Sequence, residues 1–453
     1  MPSLLWLRRD LRLNDLPSLV RAHEEGPVLP VFCLDPALLA NAGAVRTIIL
    51  LRSLSALNES CDGALVLRTG DPEQIIPELV AQVGASSVHI SAESEPYGRA
   101  RDERVREALD VPLVATGTPY AVGPGSVLTG QGQPYKVFTP FARAWREHGW
   151  PGPALRPAGL RWVTGVESES LPDEPACEVQ LPAAGEPAAL ARWAQFLEED
   201  LPRYADERDR PDLDTTSQLS MHLKFGTIHP RTLLADMAAS PQAAGRGAQV
   251  FSNELAWREF HADVLWHRPD SLWSDLRAVM SGMVYDDPDS DPQAAAALQA
   301  WKQGRTGFPI VDAGMRQLRA EGWMHNRVRM VAASFLVKDL HVRWQYGAAH
   351  FMEYLRDGDP ASNNHNWQWV AGTGTDAAPY FRIFNPTTQG KKFDPHGEYV
   401  RRYVPELRHL AGAACHEPGA STPNLTCDYP APIVDHAQAR RDALARHREA
   451  VQD

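Results

Sequence analysis

Cysteine is scarce in this chain and falls into no pattern. There are five, Cys33, Cys61, Cys177, Cys415 and Cys427, an odd number with no CxxC pair. This excludes a disulfide framework and a cysteine-based zinc site, and suits a reducing compartment. No apolar run reaches membrane-spanning length. The opening "MPSLLWLRRDLRLND" puts two arginines and an aspartate straight after a short apolar run. That is the wrong order for a secretory signal, so a cytoplasmic protein with no membrane partner is expected. An excess of positive charge is also missing: 45 Lys and Arg stand against 57 Asp and Glu, for a net charge of −12. This weighs against a nucleic-acid partner, because Lys and Arg neutralise phosphates. The basic residues are unevenly spread, however. From Arg382 to Arg408 there are six basic and three acidic side chains, enough for a local positive face. Finally, no GxGxxG follows the first apolar run, so a standard dinucleotide fingerprint is absent.

The 453 residues, 43% hydrophobic and 23% charged, describe a globular chain of two or three domains. "SLLWL", "VLPVFCLD", "GALVLR", "SSVHIS" and "VPLVAT" are short apolar or β-branched runs. Between them, "DLPSLVRAHEEG" and "DPEQIIPELVAQVG" have helical periodicity and end at Gly. The alternation predicts a Rossmann-like α/β domain over 1–130, with a parallel sheet covered on both faces. A linker spans 131–190; seven prolines fall between Pro151 and Pro187. Over 191–453 strand signals nearly vanish, and a larger all-α domain is expected. Eight of the thirteen tryptophans lie between Trp257 and Trp369, so the aromatic chemistry belongs there.

Several segments could carry chemistry. "TTSQLSMHLKF" puts the hydroxyls of Thr215, Thr216, Ser217 and Ser220 before a helix-capable run. They suit a phosphate at a helix N-terminus, or a plain N-cap. In "NELAWREFH", Glu254, Trp257, Arg258 and His261 share one helical face, while Phe251, Leu255, Ala262 and Trp266 form an apolar stripe. In "GWMHNRVRM", Asn326, Arg329 and Met330 share a face, with Arg327 beside it. His325 is expected to be structural. Asp357 and Asp359 in "RDGDPASNNHNWQWV" fit neither an acid/base pair nor a metal site, and no metal is expected. Asp357 is better explained as the partner of Arg329. The run from Asn363 to Pro386 is too rich in Gly, Pro and Asn for one buried helix, yet too aromatic for an ordinary loop.

With these motifs in view, the chain resembles the DNA photolyase/cryptochrome family over nearly its whole length. The resemblance is closest between Tyr204 and Glu406, in "TGFPIVDAGMRQL", "GWMHNRVRM", "WQW" and "TGTDAAPYFRIFNP", and it includes the start "LLWLRRDLRLNDLPSL". It implies FAD, reduced in its active state, held by the helical domain. Blue light then drives an electron to a pyrimidine dimer in UV-damaged DNA and the dimer splits, with no nucleophile or metal. By the same resemblance Thr216, Ser217, Gln218, Leu219 and Ser220 hold the FAD diphosphate, and Tyr204, Glu254 and Arg258 line the cofactor. Arg329, Asp357, Asp359 and Asn363 surround the flavin ring, with Asn363 facing its N5. Glu254, Trp257, Asn326, Arg327, Met330 and Trp369 form the pocket for a flipped-out dimer, a mode of action for which photolyases are the standard example. Each stacked indole would contribute ~1–3 kcal/mol per base, and burial against indole should raise the Glu254 pKa. The basic residues Arg327, Arg382, Lys391, Lys392, Arg401 and Arg402 are the expected DNA rim of a monomer.

Trp367 and Trp344 match the inner and middle members of the family's photoreducing tryptophan chain. The chain departs from the family in two places. Asp291 occupies the position of the outer tryptophan, with Tyr285 and Trp273 the nearest aromatic substitutes. His365 and Asn366 stand where relatives commonly have Gly-Gly, and a turn is expected there. Photolyases for the (6–4) photoproduct have two His where this chain has Asn326 and Met330, and plant-type cryptochromes have Asp at position 363. Asn363 therefore favours cyclobutane dimer repair over a non-repairing blue-light receptor. Folate-binding relatives carry Glu at the position of Gly98, which favours a deazaflavin or FMN antenna, or an empty site, over folate, and "GQPYKVFTPFARAW" is compatible with a flavin-type antenna.

Overall fold

The computed structural model describes residues 1–280, 282–375, 382–421 and 428–452. Asp376 to Phe381 of the aromatic run, and Cys427, lie outside the described residues; the other four cysteines are free. The chain packs as two units. The first comprises Met1–Cys177, Leu181–Ala205 and Ser217–Pro269; the second comprises Glu178–Gln180, Asp206–Thr216 and Asp270–Asp453.

The first unit is built on a parallel sheet in the order β3-β2-β1-β4-β5. Its strands are β1 (Ser3–Leu7), β2 (Val28–Leu34), β3 (Val66–Thr69), β4 (Val88–Ile90) and β5 (Leu113–Ala115), each falling on one of the five apolar runs. Side chains alternate between the faces of a strand. Leu5 and Leu7 accordingly join one buried cluster with Leu19, Phe32 and Leu54. Leu4 and Trp6 join another with Val31, Ile76 and Leu79. Helix α1 (Pro17–Glu25) follows β1, and α2 (Pro72–Val83) follows β3. The Asp71 carboxylate caps α2 by accepting from the Glu73 amide at 3.0 Å, and left-handed Gly84 ends it, as the sequence signals require. The strand order reverses between β1 and β4, the switch point at which doubly wound sheets bind ligands.

The stretch read as a linker contains a helix, α3 (Phe138–His148), which packs on the longest helix of the unit, α5 (Arg246–His267). The periodicity of α5 was expected to give one apolar stripe. Instead the helix is buried on most sides and carries Glu259 and Asp263 inward. Glu259 accepts from the amides of Ala121 (2.6 Å) and Val122 (3.0 Å) and from the Trp145 indole (2.7 Å). A loop with no secondary structure of its own must satisfy its amides somewhere, and this carboxyl does so. Burial lifts the Glu259 pKa to about 7 despite those three donors. A carboxyl with a raised folded pKa contributes stability that is complete below its ordinary value and lost as pH rises through the folded one. Thermal unfolding from pH 5 to pH 8 should therefore show a loss on the order of 3 kcal/mol in wild type that Glu259→Gln lacks. Parallel curves for the two proteins would refute it.

Among its described residues the second unit is helical, with no strand. Trp301, Phe335, Trp344, Phe351, Trp367 and Tyr399 are buried in its core. Helix α6 (Asn326–Ser334) passes into a π-helical turn, Phe335–Asp339. That wider turn carries Lys338 into the interior, where burial pushes its pKa down to about 7. Helices α7 (Trp344–Tyr354) and α8 (Pro360–Ala371) pack closely. Gly347 permits this, since a Cβ there would overlap the ring carbons of Trp367 and crowd Leu336. The expected turn at His365-Asn366 does not form. Both lie inside α8, neither has a positive φ, and His365 bonds to the Ser271 hydroxyl at 2.8 Å. The Asp359 cap and Pro360 start the helix upstream and Gly372 ends it downstream. The aromatic run is thus helical to Ala371 and broken after it, in keeping with its Gly and Pro content.

Candidate flavin and lesion site

The first unit supplies one set of the expected residues. Tyr204 is buried and meets Phe196 and Phe251 edge-on, with ring centroids 5.4 and 5.6 Å apart. After it comes the hydroxyl motif. Gln218 adopts a φ of 52°, an uncommon conformation for a residue other than glycine and one that clusters at ligand sites. The Ser217 carbonyl is held by Arg192 at 3.0 Å, Leu219 is buried, and Ser220 opens the short helix α4 (Ser220–Phe225).

On α5, Glu254, Trp257 and Arg258 are half-buried and His261 is buried, so this is no solvated face. The Trp257 indole lies flat on the Phe138 ring, with centroids 3.7 Å apart and planes 7° from parallel. Arg258 donates to the carbonyls of Pro119 (3.0 Å) and Leu223 (3.1 Å), and its guanidinium stacks on Tyr120 at 4.3 Å. It acts here as a brace between the loop at Pro119 and the short helix that holds Leu223.

The second unit contains the remaining expected residues. Thr215 is buried, and its hydroxyl meets no partner among the described residues; Thr216 is half-buried. An orphaned hydroxyl is costly, and a phosphate group would satisfy it. His325 is buried and caps α6 by accepting from the Arg327 amide at 3.2 Å. Burial lowers its pKa to about 4, keeping the imidazole neutral for that structural role. Asn326 is exposed, with Arg327, Arg329 and Met330 half-buried after it. Arg329 grips Asp357 through Nη2, at 3.1 and 2.8 Å from the two carboxylate oxygens. The expected ion pair is therefore present.

Asp359 caps α8, accepting from the Ser362 amide at 2.9 Å. Asn363 donates to the Ala348 carbonyl at 3.1 Å and to Asn364 at 2.9 Å. Both donations come from its amide nitrogen, which leaves its oxygen as an acceptor. Trp367 is buried one turn further on, meeting Phe351 (5.0 Å) and Trp301 (6.1 Å) edge-on, and Trp369 is half-buried. Trp344 is buried and donates its N–H to Asp275 at 2.7 Å.

The basic rim is largely paired. Arg327 bridges to Asp209, Lys391 to Glu417, Arg401 to Glu398 and Arg402 to Asp214. Lys392 lies over Phe393, and Arg382 is exposed with its carbonyl held by Lys338. Asp291 caps the helix Pro292–Gln303, its carboxylate accepting from the Gln293 amide at 2.8 Å. Phe138 and Asp275 were not singled out from the sequence. The aromatic period of "KVFTPFARAW" was the available signal for the first; nothing distinguished the second among the acidic residues.

Comparison with known proteins gives this geometry its family. Residues 3–158 match the family model described as DNA photolyase, and residues 251–449 match the FAD binding domain of DNA photolyase. A deoxyribodipyrimidine photo-lyase of Halobacterium salinarum is 42% identical, over 99% of each chain. A bacterial class III photolyase from Agrobacterium tumefaciens is 36% identical with a TM-score of 0.89, over 100% of this chain and 98% of that one. A Synechocystis cryptochrome also reaches a TM-score of 0.89 at 27% identity, over 98% of each chain. The chain belongs to the DNA photolyase family, a flavoprotein whose C-terminal region is that family's FAD-binding domain. Among the described residues no helix is long and apolar enough to cross a membrane.

Proposed function

We propose that this protein repairs cyclobutane pyrimidine dimers in UV-damaged DNA, using light absorbed by reduced FAD. The flavin supplies the excited-state electron. The chain's own groups bind, orient and shield. The Gln218 turn and the Ser217 and Ser220 hydroxyls, with Thr215 and Thr216, suit the diphosphate. Asp357, fixed by Arg329, and Asn363, whose oxygen can accept, suit the polar edge of the flavin ring. Trp257 offers a flat apolar ring for the dimer, and in the second unit Asn326 and Met330 stand where an imidazole pair would mark a (6–4) enzyme.

The fold alone does not separate repair from signalling, since a photolyase and a cryptochrome overlay on it equally well. The observation that carries repair is Asn363, whose neutral side chain cannot protonate a flavin as a carboxylic acid would. The test is to irradiate a dimer-containing oligonucleotide with the purified, flavin-reduced protein and measure intact thymines. Recovery under light and none in the dark is expected; no recovery from the cyclobutane dimer refutes the assignment.

We also propose a second chromophore, a deazaflavin or FMN rather than folate. Gly98 supports this, since it stands where folate-binding relatives carry a glutamate, and a side chain there would crowd that of Glu93. At the switch point Arg8 pairs with Asp102 at 3.1 Å, yet its Nε meets no partner among the described residues, which suits an anionic ring system. The absorption left after FAD is accounted for in the purified protein identifies the chromophore; a folate spectrum would overturn this reading.

A further inference from the structure

Asp291 stands where the family resemblance places the outer tryptophan, so an oxidised Trp344 would need another group to stabilise it. A tryptophan that has given up an electron must be kept from taking it back, and one way is to lose the indole proton. Indole has a single N–H. For Trp344 that N–H is buried with the ring, and the group it meets is a carboxylate, Asp275 Oδ1, at 2.7 Å. This is within the range for direct proton transfer. Trp301, the buried indole that meets Trp367 edge-on, donates its N–H at 3.0 Å to the Ala332 backbone carbonyl, which is no base. Tyr285 fails for the opposite reason. Its hydroxyl is buried and meets no acceptor among the described residues, and burial drives its pKa further up, so it has no outlet for its proton.

We propose that Asp275 is the proton acceptor that traps the oxidised tryptophan at Trp344. This rests on the reading of Trp367 and Trp344 as the photoreduction chain. One electron leaves Trp344 for the light-excited oxidised flavin by way of Trp367. The Nε1–H bond then breaks with its electron pair kept on nitrogen, and the proton passes to Asp275. The products are a neutral indolyl radical, a carboxylic acid and a flavin reduced by one electron. A small thiol returns one electron and one proton and resets the pair. Before the proton moves, the carboxylate's negative charge already favours the hole on Trp344 over Trp301. Asp275 is itself half-buried, so the proton can pass on to water.

Flash photolysis of the protein carrying oxidised FAD tests this, since the cationic and neutral tryptophanyl radicals absorb at different wavelengths. Wild type should form the neutral radical, more slowly in D₂O than in H₂O. Asp275→Asn keeps an acceptor oxygen but not the base. It should hold the radical as the cation and cut the lasting yield of reduced flavin about ten-fold; Asp275→Glu should restore it. If Asp275→Asn forms the neutral radical as fast as wild type, the proposal fails, as it does if the wild-type rate is the same in D₂O. Trp344→Phe separates the two levels. Undiminished photoreduction in that variant would remove Trp344 from the chain, and the proposal with it, whatever Asp275 does.

Discussion

Arg329→Ala should lower the thermal midpoint of the FAD-binding region by about 10 °C and release flavin. Asp357 is buried, and both its oxygens lie within 3.1 Å of Arg329 Nη2. Removing one partner of such a pair leaves a charge in a poor solvent, which costs about 3–5 kcal/mol. In a unit of this size each kcal/mol moves the midpoint by roughly 2–4 °C. Arg329 also donates from Nε to the Met324 carbonyl at 2.7 Å, so the truncation frees a second acceptor near the start of α6. Arg329→Lys should fall between, because an ammonium keeps the charge without the planar fork. The double variant Arg329→Ala, Asp357→Asn should recover part of the loss, since the stranded charge is gone. Unfolding followed by flavin absorbance measures all three. An unchanged midpoint in Arg329→Ala would mean that water reaches Asp357 and that the pair is not a structural tie.

Gly347→Leu should cost about 3 kcal/mol or more and abolish flavin photoreduction. The opposing effects can be weighed. A non-glycine residue in the middle of α7 gains up to about 1 kcal/mol in helix propensity. Against that, the new side chain must enter space held by the Trp367 ring and Leu336, and overpacking a dense core costs about 1–3 kcal/mol, occasionally more. Alanine already sets its Cβ against the Trp367 ring and Leu336, so it should destabilise too, and leucine more. The ring that must yield is the proposed inner electron carrier, so photoreduction should fall further than stability. The chemical melt and the yield of reduced flavin under blue light are the paired measurements. A leucine variant with wild-type photoreduction would show that Trp367 can shift without consequence.

The strands were legible because a parallel sheet buried on both faces demands uninterrupted apolar runs, and the Gly and Pro between them leave little freedom for other elements. Arg329 and Asp357 were legible because a carboxylate with no metal or catalytic company needs a cation. His365 and Asn366 were misread as a turn: the cap at Asp359 and the proline after it, upstream of both, carry the helix through them. Glu259 escaped notice because it sits beside Arg258 in a polar-looking stretch; only the loop amides of Ala121 and Val122, distant in sequence, explain why it turns inward. Phe138 was hidden by its place in a segment rich in turn residues, and Asp275 by being one acid among many. What pattern cannot supply is pairing between distant segments, and each of the missed residues acts through such a pairing.

The flat contact between Phe138 and Trp257 bears on how an incoming ring is received. A free indole on a helix surface samples several rotamers, and pinning it on arrival of a ligand costs entropy that weakens association. Here folding has already restricted those torsions. A planar ring settling on the other face of Trp257 meets a plate that hardly needs to rearrange, so more of the stacking energy is retained as affinity. Truncating Phe138 would loosen that plate without removing any atom of the indole itself.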